Sequence, residues 1–365
     1  MDLPASTIHL RNALSSVSGG PRRTYIIYFV TGNPGLIEYY RPFLTHLFGL
    51  LHSSPSPSSP AIDYEIYGRS LWGFEIERGP RKKEAEAEND YSLSGVTSTG
   101  GKPPYTVREQ VELSKAALKR VVAAARASGN PDVRVILMGH SMGTYISLEV
   151  MRRLRAEAEA QIDAKNDSIR VAGAALLFAT IMHLAKSSSG RKMSPFLALP
   201  HFALVVSFVA RILTVFVPTT FLAMIIQRIV GFPPAPARVT AEFVKSRRGV
   251  EQALFMANDE MKEITIDKWD ADIWGAAHAS PHPHPRPTLR FLFAKSDHWV
   301  ADETREELIR LRGSQRNGSP DWLPRMEVDE SEGWPHGFCI RHSIPVAERV
   351  CSYVRDIVER DLGAS

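Results

Sequence analysis

A serine flanked by glycines lies between an apolar run and a helical pattern, in the sequence VRVILMGHSMGTY. A serine at a sharp turn from strand to helix presents its hydroxyl group and can act as a nucleophile. Gly139 and Gly143 stand two residues before and after Ser141, where bulky side chains would keep strand and helix apart. The spacing predicts a nucleophile elbow with Ser141 at its apex. His140 is adjacent to Ser141 on the turn and points elsewhere, so we do not expect it to be the base.

A serine nucleophile needs a base, and the base needs an orienting acid. In a site of this type the acid and then the histidine lie C-terminal to the nucleophile, on loops that follow strands near the end of the domain. Asp297 directly follows the apolar run TLRFLFA and is the preferred acid. His336 lies in the loop GWPHGF ahead of the last helical pattern and is the preferred base. Less well placed alternatives are Glu303 and Asp321 as the acid, and His342 and His298 as the base.

The loop TGNPG after the first apolar run offers donors for a developing oxyanion. An oxyanion hole of this type combines the backbone N–H of the residue after the nucleophile, here Met142, with one from an early loop. Pro34 has no N–H, and Gly32 permits close approach, so Asn33 is the expected second donor. An NPG turn without a catalytic role is the alternative.

Five apolar runs predict the strands that must position these residues. They cover residues 24–30, 63–68, 133–139, 171–179 and 288–294. Helical patterns alternate with them at 37–53, 106–127, 142–161 and 343–362, and Thr106 with Glu109 forms a capping-box pattern. Strands that are apolar throughout and alternate with helices indicate an α/β fold, with a mostly parallel sheet covered by helices on both faces.

This pattern divides the chain into a core and an insertion. Residues 1–180 and 288–365 are the expected N-terminal and C-terminal parts of the core, and residues 181–287 are expected to form a cap or lid. A charged and then Gly/Ser/Thr-rich stretch at 78–104 predicts a flexible loop. A length of 365 residues with 44% hydrophobic residues fits one large domain with an insertion, or two domains.

The composition limits the classes of binding partner and the cellular locations that we expect for this protein. The net charge of +4 comes from 44 scattered basic residues against 40 acids, which argues against nucleic acid and is compatible with anionic lipid surfaces. Two cysteines give no disulfide framework, and the first 20 residues lack the apolar core of a signal peptide. We therefore expect a reducing, cytosol-facing location, where the glycosylation-type triplets at Asn166 and Asn317 are chance matches.

The segment HASPHPHPRP carries histidines at 278, 282 and 284 that resemble metal ligands. Histidines that alternate with prolines are more typical of an extended polyproline linker, and neither cysteine nor acid accompanies them. We expect no metal. The sequence also has no phosphate-binding loop and no dinucleotide fingerprint, so we expect no cofactor.

A nearly unbroken apolar tract occupies the middle of the insertion, from 194 to 232. A membrane-spanning helix needs about 20 predominantly apolar residues, whereas the uncharged stretches on either side of Arg211 have 18 and 16 residues, and Pro218 separates them into two helices. Ser207, Arg211 and Thr214 share one helical face.

This pattern predicts an apolar hairpin at about 196–230 that lies in a lipid monolayer or caps an acyl pocket. A lid whose helices are buried without touching lipid is the alternative. The residues expected to contact lipid are Phe202, Val206, Phe216, Phe221, Leu222, Ile225 and Ile226.

Four segments together, VTGNPGLIEYY, MGHSMGTY, FAKSDHWV and WPHGFC, resemble the lipid droplet-associated hydrolases, a family of α/β-hydrolases. The resemblance extends from about residue 24 to the last helix, and the loop at 78–104 is longer than its pattern requires. It implies an α/β-hydrolase fold with Ser141 as nucleophile, Asp297 as acid and His336 as base. It further implies ester hydrolysis at the cytosolic surface of lipid droplets or the endoplasmic reticulum.

The sequence therefore favours a serine ester hydrolase that forms an acyl-enzyme on Ser141, with neutral lipids, sterol esters or acylglycerols as substrates and a droplet monolayer or reticulum membrane as partner surface. One alternative is a weakly active or inactive droplet protein that binds lipid or organises droplets. Another is an acyltransferase that uses the same residues. An aspartate-nucleophile hydrolase is disfavoured because a serine occupies the elbow.

Overall fold

The computed structural model describes residues 6–12, 23–53, 62–75, 102–129, 132–160, 168–276, 280, 282–314 and 322–363. In these ranges one sheet has the strand order β1-β3-β2-β4-β5-β6-β7, in which β1 runs antiparallel to β3 and all other neighbours are parallel. The strands are β1 (Thr7–Leu10), β2 (Arg23–Val30), β3 (Ile62–Arg69), β4 (Asp132–His140), β5 (Arg170–Leu177), β6 (Thr288–Ala294) and β7 (Arg325–Asp329).

The five expected strands all form, within two residues of the bounds inferred from the sequence. Their runs are nearly fully buried, because helices cover both faces of a parallel sheet. Strands β1 and β7 were not expected. Both lie at sheet edges, are short, and have mostly half-buried residues, so they lack the continuous apolar signal of the inner strands.

Helices connect and cover the strands. They are α1 (Arg41–His52), α2 (Val107–Ala127), α3 (Met142–Ala160), α4 (Ser188–Leu197), α5 (Phe202–Thr214), α6 (Thr219–Ile229), α7 (Pro234–Lys245), α8 (Gly249–Glu263), α9 (Ala271–Trp274), α10 (Asp302–Arg312) and α11 (Ser343–Gly363). The expected capping box is present at the start of α2, where the side chain of each partner, Thr106 and Glu109, accepts the backbone N–H of the other. Helix α1 begins later than expected because a 3-10 turn, Ile37–Tyr40, precedes it.

The insertion between β5 and β6 contains helices α4 to α9. Helices α5 and α6 are the two helices expected on either side of Pro218, and α4 meets α5 at a bend of 90° near Pro200. Among the described residues, the candidate for crossing a membrane by length and composition is this bent pair, α4 with α5, since each helix alone falls short.

Helix α6 has a small core of its own, separate from the main one. Ile226 and Ala223 of α6 pack on Ala237 and Ala241 of α7, with Phe232 at the margin. The main core lies between the sheet and the helices that cover it.

Some expectations fall on residues that lie outside the described ranges. These are the loop over 78–101, the two glycosylation-type asparagines, His278 and Asp321.

Candidate active site

Ser141 lies at the carboxyl end of β4 with φ of 52°, a left-handed conformation that strains a non-glycine residue. Its N–H donates to the carbonyl oxygen of Leu177 at 3.0 Å. A Cβ added to Gly139 would lie 2.4 Å from the carbonyl oxygen of Gly143, and one added to Gly143 would lie 2.3 Å from that of Val30. Gly139 is therefore required by the close approach of strand and helix around this turn, and Gly143 by the close approach of the helix to the end of β2.

The structure places the side chain of His336 within hydrogen-bond distance of both Ser141 and Asp297. Ser141 Oγ lies 2.8 Å from His336 Nε2, and His336 Nδ1 lies 2.7 Å from Asp297 Oδ2. Because a carboxylate accepts, Nδ1 carries the hydrogen of a neutral imidazole, and Nε2 is free to accept the serine proton. The geometry is that of a nucleophile, a base and an orienting acid.

Asp297 follows β6 and is held by two contacts. Its Oδ1 accepts the N–H of Trp299 at 2.8 Å, while Oδ2 faces His336. Burial acts to raise the pKa of Asp297, but His336 and the Trp299 N–H outweigh it and hold that pKa below its ordinary value. The side chain is therefore an acceptor-only carboxylate at neutral pH, as the orienting role requires.

The loop that carries His336 is shaped by the buried end of β7. Asp329, the last residue of that strand, accepts the N–H groups of Glu332 at 2.9 Å and Trp334 at 2.7 Å. These bonds turn the chain back over the strand ends. The side chain of His336 is 14% exposed, so it is reachable from solvent while its partner acid, at 1%, is not.

The loop after β2 passes directly beside the nucleophile. A Cβ on Gly32 would lie 2.9 Å from the Cβ of Ser141. Within the described part of the chain no hydrogen bond occupies the backbone N–H of Asn33. The N–H of Met142 begins α3 and so has no partner within the helix. Both expected oxyanion donors are therefore backbone groups in residues that adjoin the turn, Met142 directly after Ser141 and Asn33 directly after Gly32.

The side chain of Asn33 is engaged elsewhere. Its Nδ2 donates to the carbonyl oxygen of Ala253 at 2.9 Å and to Oε1 of Glu260 at 2.8 Å, both on α8 of the insertion. Any contribution of Asn33 to an oxyanion must therefore come from its main chain. The buried Glu260 was not singled out from the sequence, because only the tertiary structure brings α8 to this loop; burial raises its pKa to about 8.

The alternative candidates lie apart from Ser141. Glu303 is exposed in the first turn of α10, and His298 is exposed and contacts α4 through its carbonyl oxygen. His342 precedes α11, where its backbone N–H donates to Phe338. In the described segments, His336 is thus the candidate base whose side chain meets the serine, and Asp297 is the candidate acid whose side chain meets His336.

The described histidines of the proline-rich segment form hydrogen bonds with neighbouring protein groups. His282 is 6% exposed with Nε2 2.9 Å from the carbonyl oxygen of Arg155, and His284 Nε2 lies 2.7 Å from Ser168 Oγ. No group of three or more His, Cys, Asp or Glu side chains suited to a metal occurs in the described ranges.

Exposed apolar side chains are concentrated on α4, α5, α6 and the turns between them. Of the eighteen large hydrophobic side chains exposed in the described part of the chain, fourteen lie between residues 196 and 230. We call these fourteen the apolar lid surface: Phe196, Leu199, Leu204, Val205, Phe208, Val209, Ile212, Leu213, Val215, Phe216, Phe221, Met224, Ile229 and Val230.

The residues expected to contact lipid divide into three groups. Phe216 and Phe221 belong to the apolar lid surface, with exposures of 95% and 50%. Four are half-buried at its margin, namely Phe202, Val206, Leu222 and Ile225. The expectation for Ile226 is wrong, because this side chain is 8% exposed and packs in the small core between α6 and α7.

The polar face expected on α5 is also divided. Ser207 and Thr214 are 5% and 8% exposed and face the protein, whereas Arg211 is exposed. A helix on a soluble protein normally buries its apolar face. In α5 small polar residues face inward, and the large apolar ones face outward.

These features define a class of protein. A mostly parallel sheet with a serine on a strand–turn–helix elbow is the arrangement of the α/β-hydrolases. The structure resembles a peroxisomal α/β-hydrolase of Saccharomyces cerevisiae, with a TM-score of 0.56 and 12% identity over 98% of this chain and 86% of that one. It also resembles the juvenile hormone epoxide hydrolase of the silkworm Bombyx mori, with a TM-score of 0.54 and 10% identity over 97% and 73%. The protein has the α/β-hydrolase fold.

The family follows from the sequence. A family model described as lipid-droplet associated hydrolase matches residues 23–339, so the chain belongs to that family and is a hydrolase of the α/β-hydrolase type. The lipid droplet-associated hydrolase of Mus musculus is 25% identical over 332 residues, 91% of this chain and 85% of the relative. That of Rattus norvegicus is 23% identical over 347 residues, 93% and 87%. The family resemblance inferred from the sequence is confirmed.

Proposed function

We propose that this protein is a serine hydrolase of carboxylic esters that acts on lipid esters through an acyl-enzyme on Ser141. The observation that carries the proposal is the continuous hydrogen-bonded arrangement of Ser141, His336 and Asp297, with distances of 2.8 and 2.7 Å. A serine hydroxyl gains nucleophilicity when a positioned base accepts its proton, and the acid stabilises the imidazolium that forms.

The reaction proceeds in two halves. Ser141 Oγ attacks the ester carbonyl carbon as its proton passes to His336 Nε2, and the carbonyl oxygen becomes an oxyanion facing the N–H groups of Met142 and Asn33. His336 then returns the proton to the leaving alcohol, which leaves the acyl group on Ser141. Water, activated by the same histidine, attacks the acyl carbon and releases the fatty acid and the free serine.

The catalytic role of Ser141 is tested with a fluorophosphonate probe and a graded set of acyl esters. Ser141→Ala should abolish both labelling and ester hydrolysis. Ser147→Ala is the matched control, because Ser147 is a fully buried serine on α3, the helix that follows Ser141, and its hydroxyl has no hydrogen-bond partner within the described chain. Equal labelling of Ser141→Ala and wild type would reject the assignment. A protein that folds but neither labels nor hydrolyses any ester would instead be a non-catalytic droplet protein.

The apolar lid surface supports a lipid interface as the place of action. Fourteen exposed large hydrophobic side chains lie together on three consecutive helices and the residues next to them, whereas exposed hydrophobic side chains on a soluble protein are normally scattered singly. The inward position of Ser207 and Thr214 on α5 leaves its large apolar side chains exposed, as in a helix whose outer surroundings are apolar. We propose that this surface lies in the monolayer of a lipid droplet or the cytosolic leaflet of the endoplasmic reticulum.

Flotation with triacylglycerol droplets coated with phospholipid tests this surface. Leu213→Glu/Phe216→Glu removes two side chains that are 69% and 95% exposed at the tip of α5. Each inserted side chain of this kind contributes about 1.5–3 kcal/mol, so the partition coefficient should fall at least about 100-fold. The matched control Ile266→Glu/Leu311→Glu makes the same charge change at side chains 61% and 54% exposed outside the lid surface.

The same two variants also distinguish a loss of lipid binding from a loss of catalytic activity. Leu213→Glu/Phe216→Glu should hydrolyse a soluble short-chain ester at the wild-type rate while losing activity on droplet-borne esters. Unchanged flotation would reject the lipid contact and favour a lid that only closes over the site. Recovery of acyl esters of an added alcohol, instead of free fatty acid, would favour acyl transfer over hydrolysis.

A further inference from the structure

Two buried polar side chains beside Ser141 take no part in the proton transfers proposed above. Tyr40 ends the 3-10 turn after the β2 loop, and His140 is the last residue of β4; they are 3% and 4% exposed. The Tyr40 hydroxyl oxygen lies 2.7 Å from Nδ1 of His140, and Nε2 of that ring lies 2.8 Å from the backbone carbonyl oxygen of His336. The pair therefore connects the loop after β2 with the loop that carries His336.

The direction of each hydrogen bond follows from the chemistry of the groups. A carbonyl oxygen only accepts, so Nε2 of His140 must carry a hydrogen. Burial lowers the pKa of His140 to about 3, so the ring is neutral and Nδ1 is an acceptor. The Tyr40 hydroxyl must then donate to Nδ1, and its oxygen accepts the N–H of Gly32 at 3.3 Å. Each donor and acceptor in this three-bond bridge has one defined role.

The surroundings keep the bridge dry and uncharged. The ring of Phe338 packs against His140 with a centroid separation of 5.2 Å, and that of Phe178 at 5.9 Å. The buried thiol of Cys339 also faces Tyr40, and burial raises the pKa of that thiol to about 12. In such a site hydrogen bonds are strong, and an unpaired donor or acceptor is costly.

We propose that Tyr40 and His140 are positioning residues that hold the oxyanion loop and the His336 loop at a fixed separation around Ser141. One end of the bridge is Gly32, whose neighbour Asn33 offers its N–H to the oxyanion. The other end is the backbone of His336, whose side chain meets Ser141 Oγ at 2.8 Å. The inference rests on the proposed ester hydrolysis, because the bridge sets the geometry of that reaction.

Four variants of the full chain test the bridge. Tyr40→Phe removes one hydroxyl and keeps a ring packed against Phe29 at 4.8 Å. His140→Leu removes both ring nitrogens, whereas His140→Gln retains an amide N–H able to reach the carbonyl oxygen of His336. Tyr39→Phe is the matched control, since Tyr39 is 7% exposed and its hydroxyl bonds Thr240 on α7, outside the bridge.

The first measurement needs no substrate. The imidazole N–H proton of His336, bonded to Asp297, should give a far-downfield proton resonance that reports this contact. It should be present in wild type, Ser141→Ala, Tyr39→Phe and His140→Gln, and shifted or lost in Tyr40→Phe and His140→Leu. An identical resonance in all variants would overturn the proposal, whether or not the protein is active.

The second measurement is turnover of a soluble short-chain ester, with unfolding free energies determined in parallel. Displacement of a reacting group by about 1 Å costs roughly 100-fold, so kcat should fall about 10- to 100-fold in Tyr40→Phe and His140→Leu while KM changes less than about threefold. His140→Gln should recover most of the activity. If Tyr40→Phe and Tyr39→Phe lose stability alike and both keep wild-type kcat, the bridge is only structural. Absence of turnover in wild type would instead reject the proposed function, and the resonance would still decide the bridge.

Discussion

Replacing Glu260 with glutamine should reduce the loss of folding stability that we expect as the pH rises. The Glu260 carboxyl is 6% exposed on α8 and accepts a hydrogen bond from Asn33 Nδ2, with no cation paired to it in the described structure. Burial raises its pKa from an ordinary value of 4.5 to about 8. A group with a folded pKa above its unfolded pKa binds protons more tightly when folded. The unfolding free energy therefore falls as pH rises from about 4.5 through about 8.

The size of the effect follows from the two pKa values. Each unit of pKa difference corresponds to about 1.4 kcal/mol. Integrated between pH 5 and pH 8, the ionisation of Glu260 removes about 3 kcal/mol of stability from the wild type. Glutamine keeps an acceptor oxygen for Asn33 and cannot ionise. The stability of Glu260→Gln relative to wild type should therefore increase by about 3 kcal/mol over this interval.

Urea unfolding at pH 5, 6, 7 and 8, followed by tryptophan fluorescence, measures this difference. All other titrating groups are common to both proteins and cancel in the comparison. Glu251→Gln, which removes a half-buried carboxylate from the same helix, is the matched control and should show no comparable increase over the same interval. A difference between Glu260→Gln and wild type that stays constant from pH 5 to pH 8 would refute the reasoning, because the carboxyl would then be solvated or paired in solution.

Other expectations concern the site, the elbow and the lid. Asp297→Asn should lower kcat about 10³- to 10⁴-fold with little change in KM, measured on a soluble ester. Gly143→Ala should lower the unfolding free energy by at least about 2 kcal/mol, measured by urea unfolding, because the added Cβ would lie 2.3 Å from a backbone oxygen. Gly49→Ala should instead stabilise α1 by up to about 1 kcal/mol, because a Cβ at this position meets nothing within 4 Å. Lys245→Met removes the hydrogen bonds from Lys245 to two carbonyl oxygens at the end of α5. Limited proteolysis should therefore cleave the turn between α5 and α6 faster in this variant than in wild type. An unchanged cleavage rate would show that the turn does not depend on these hydrogen bonds.

The inner sheet could be predicted from sequence because each inner strand is an apolar run closed by a turn signal. A strand that is covered on both faces is apolar at every position, so its sequence differs clearly from the alternating pattern of a strand with one face in solvent. The edge strands β1 and β7 escaped prediction for the opposite reason. Their pairing with β3 and β6 compensates for a weak local signal, and that pairing is a long-range contact.

The residues that meet at the site were predictable where the chemistry is local. The spacing of the glycines around Ser141 marks the elbow in the sequence, and Asp297 and His336 come after it in the order that such sites use. The bridge through Tyr40 and His140 was not predictable, because neither residue type nor spacing shows which carbonyl oxygen a buried ring will meet.

The sequence by itself determined that residues 194–232 are apolar, that proline interrupts them, and that Ser207 and Thr214 share a face. A helical pattern gives the relative position of polar and apolar faces, since it depends only on 3.6 residues per turn. Only the tertiary structure decided which face is outside. Helix α5 packs against α7 and α8 with Ser207 and Thr214 buried, and Lys245 binds the carbonyl oxygens at its end. The contacts of neighbouring helices, which no local pattern contains, therefore turn the apolar face outward.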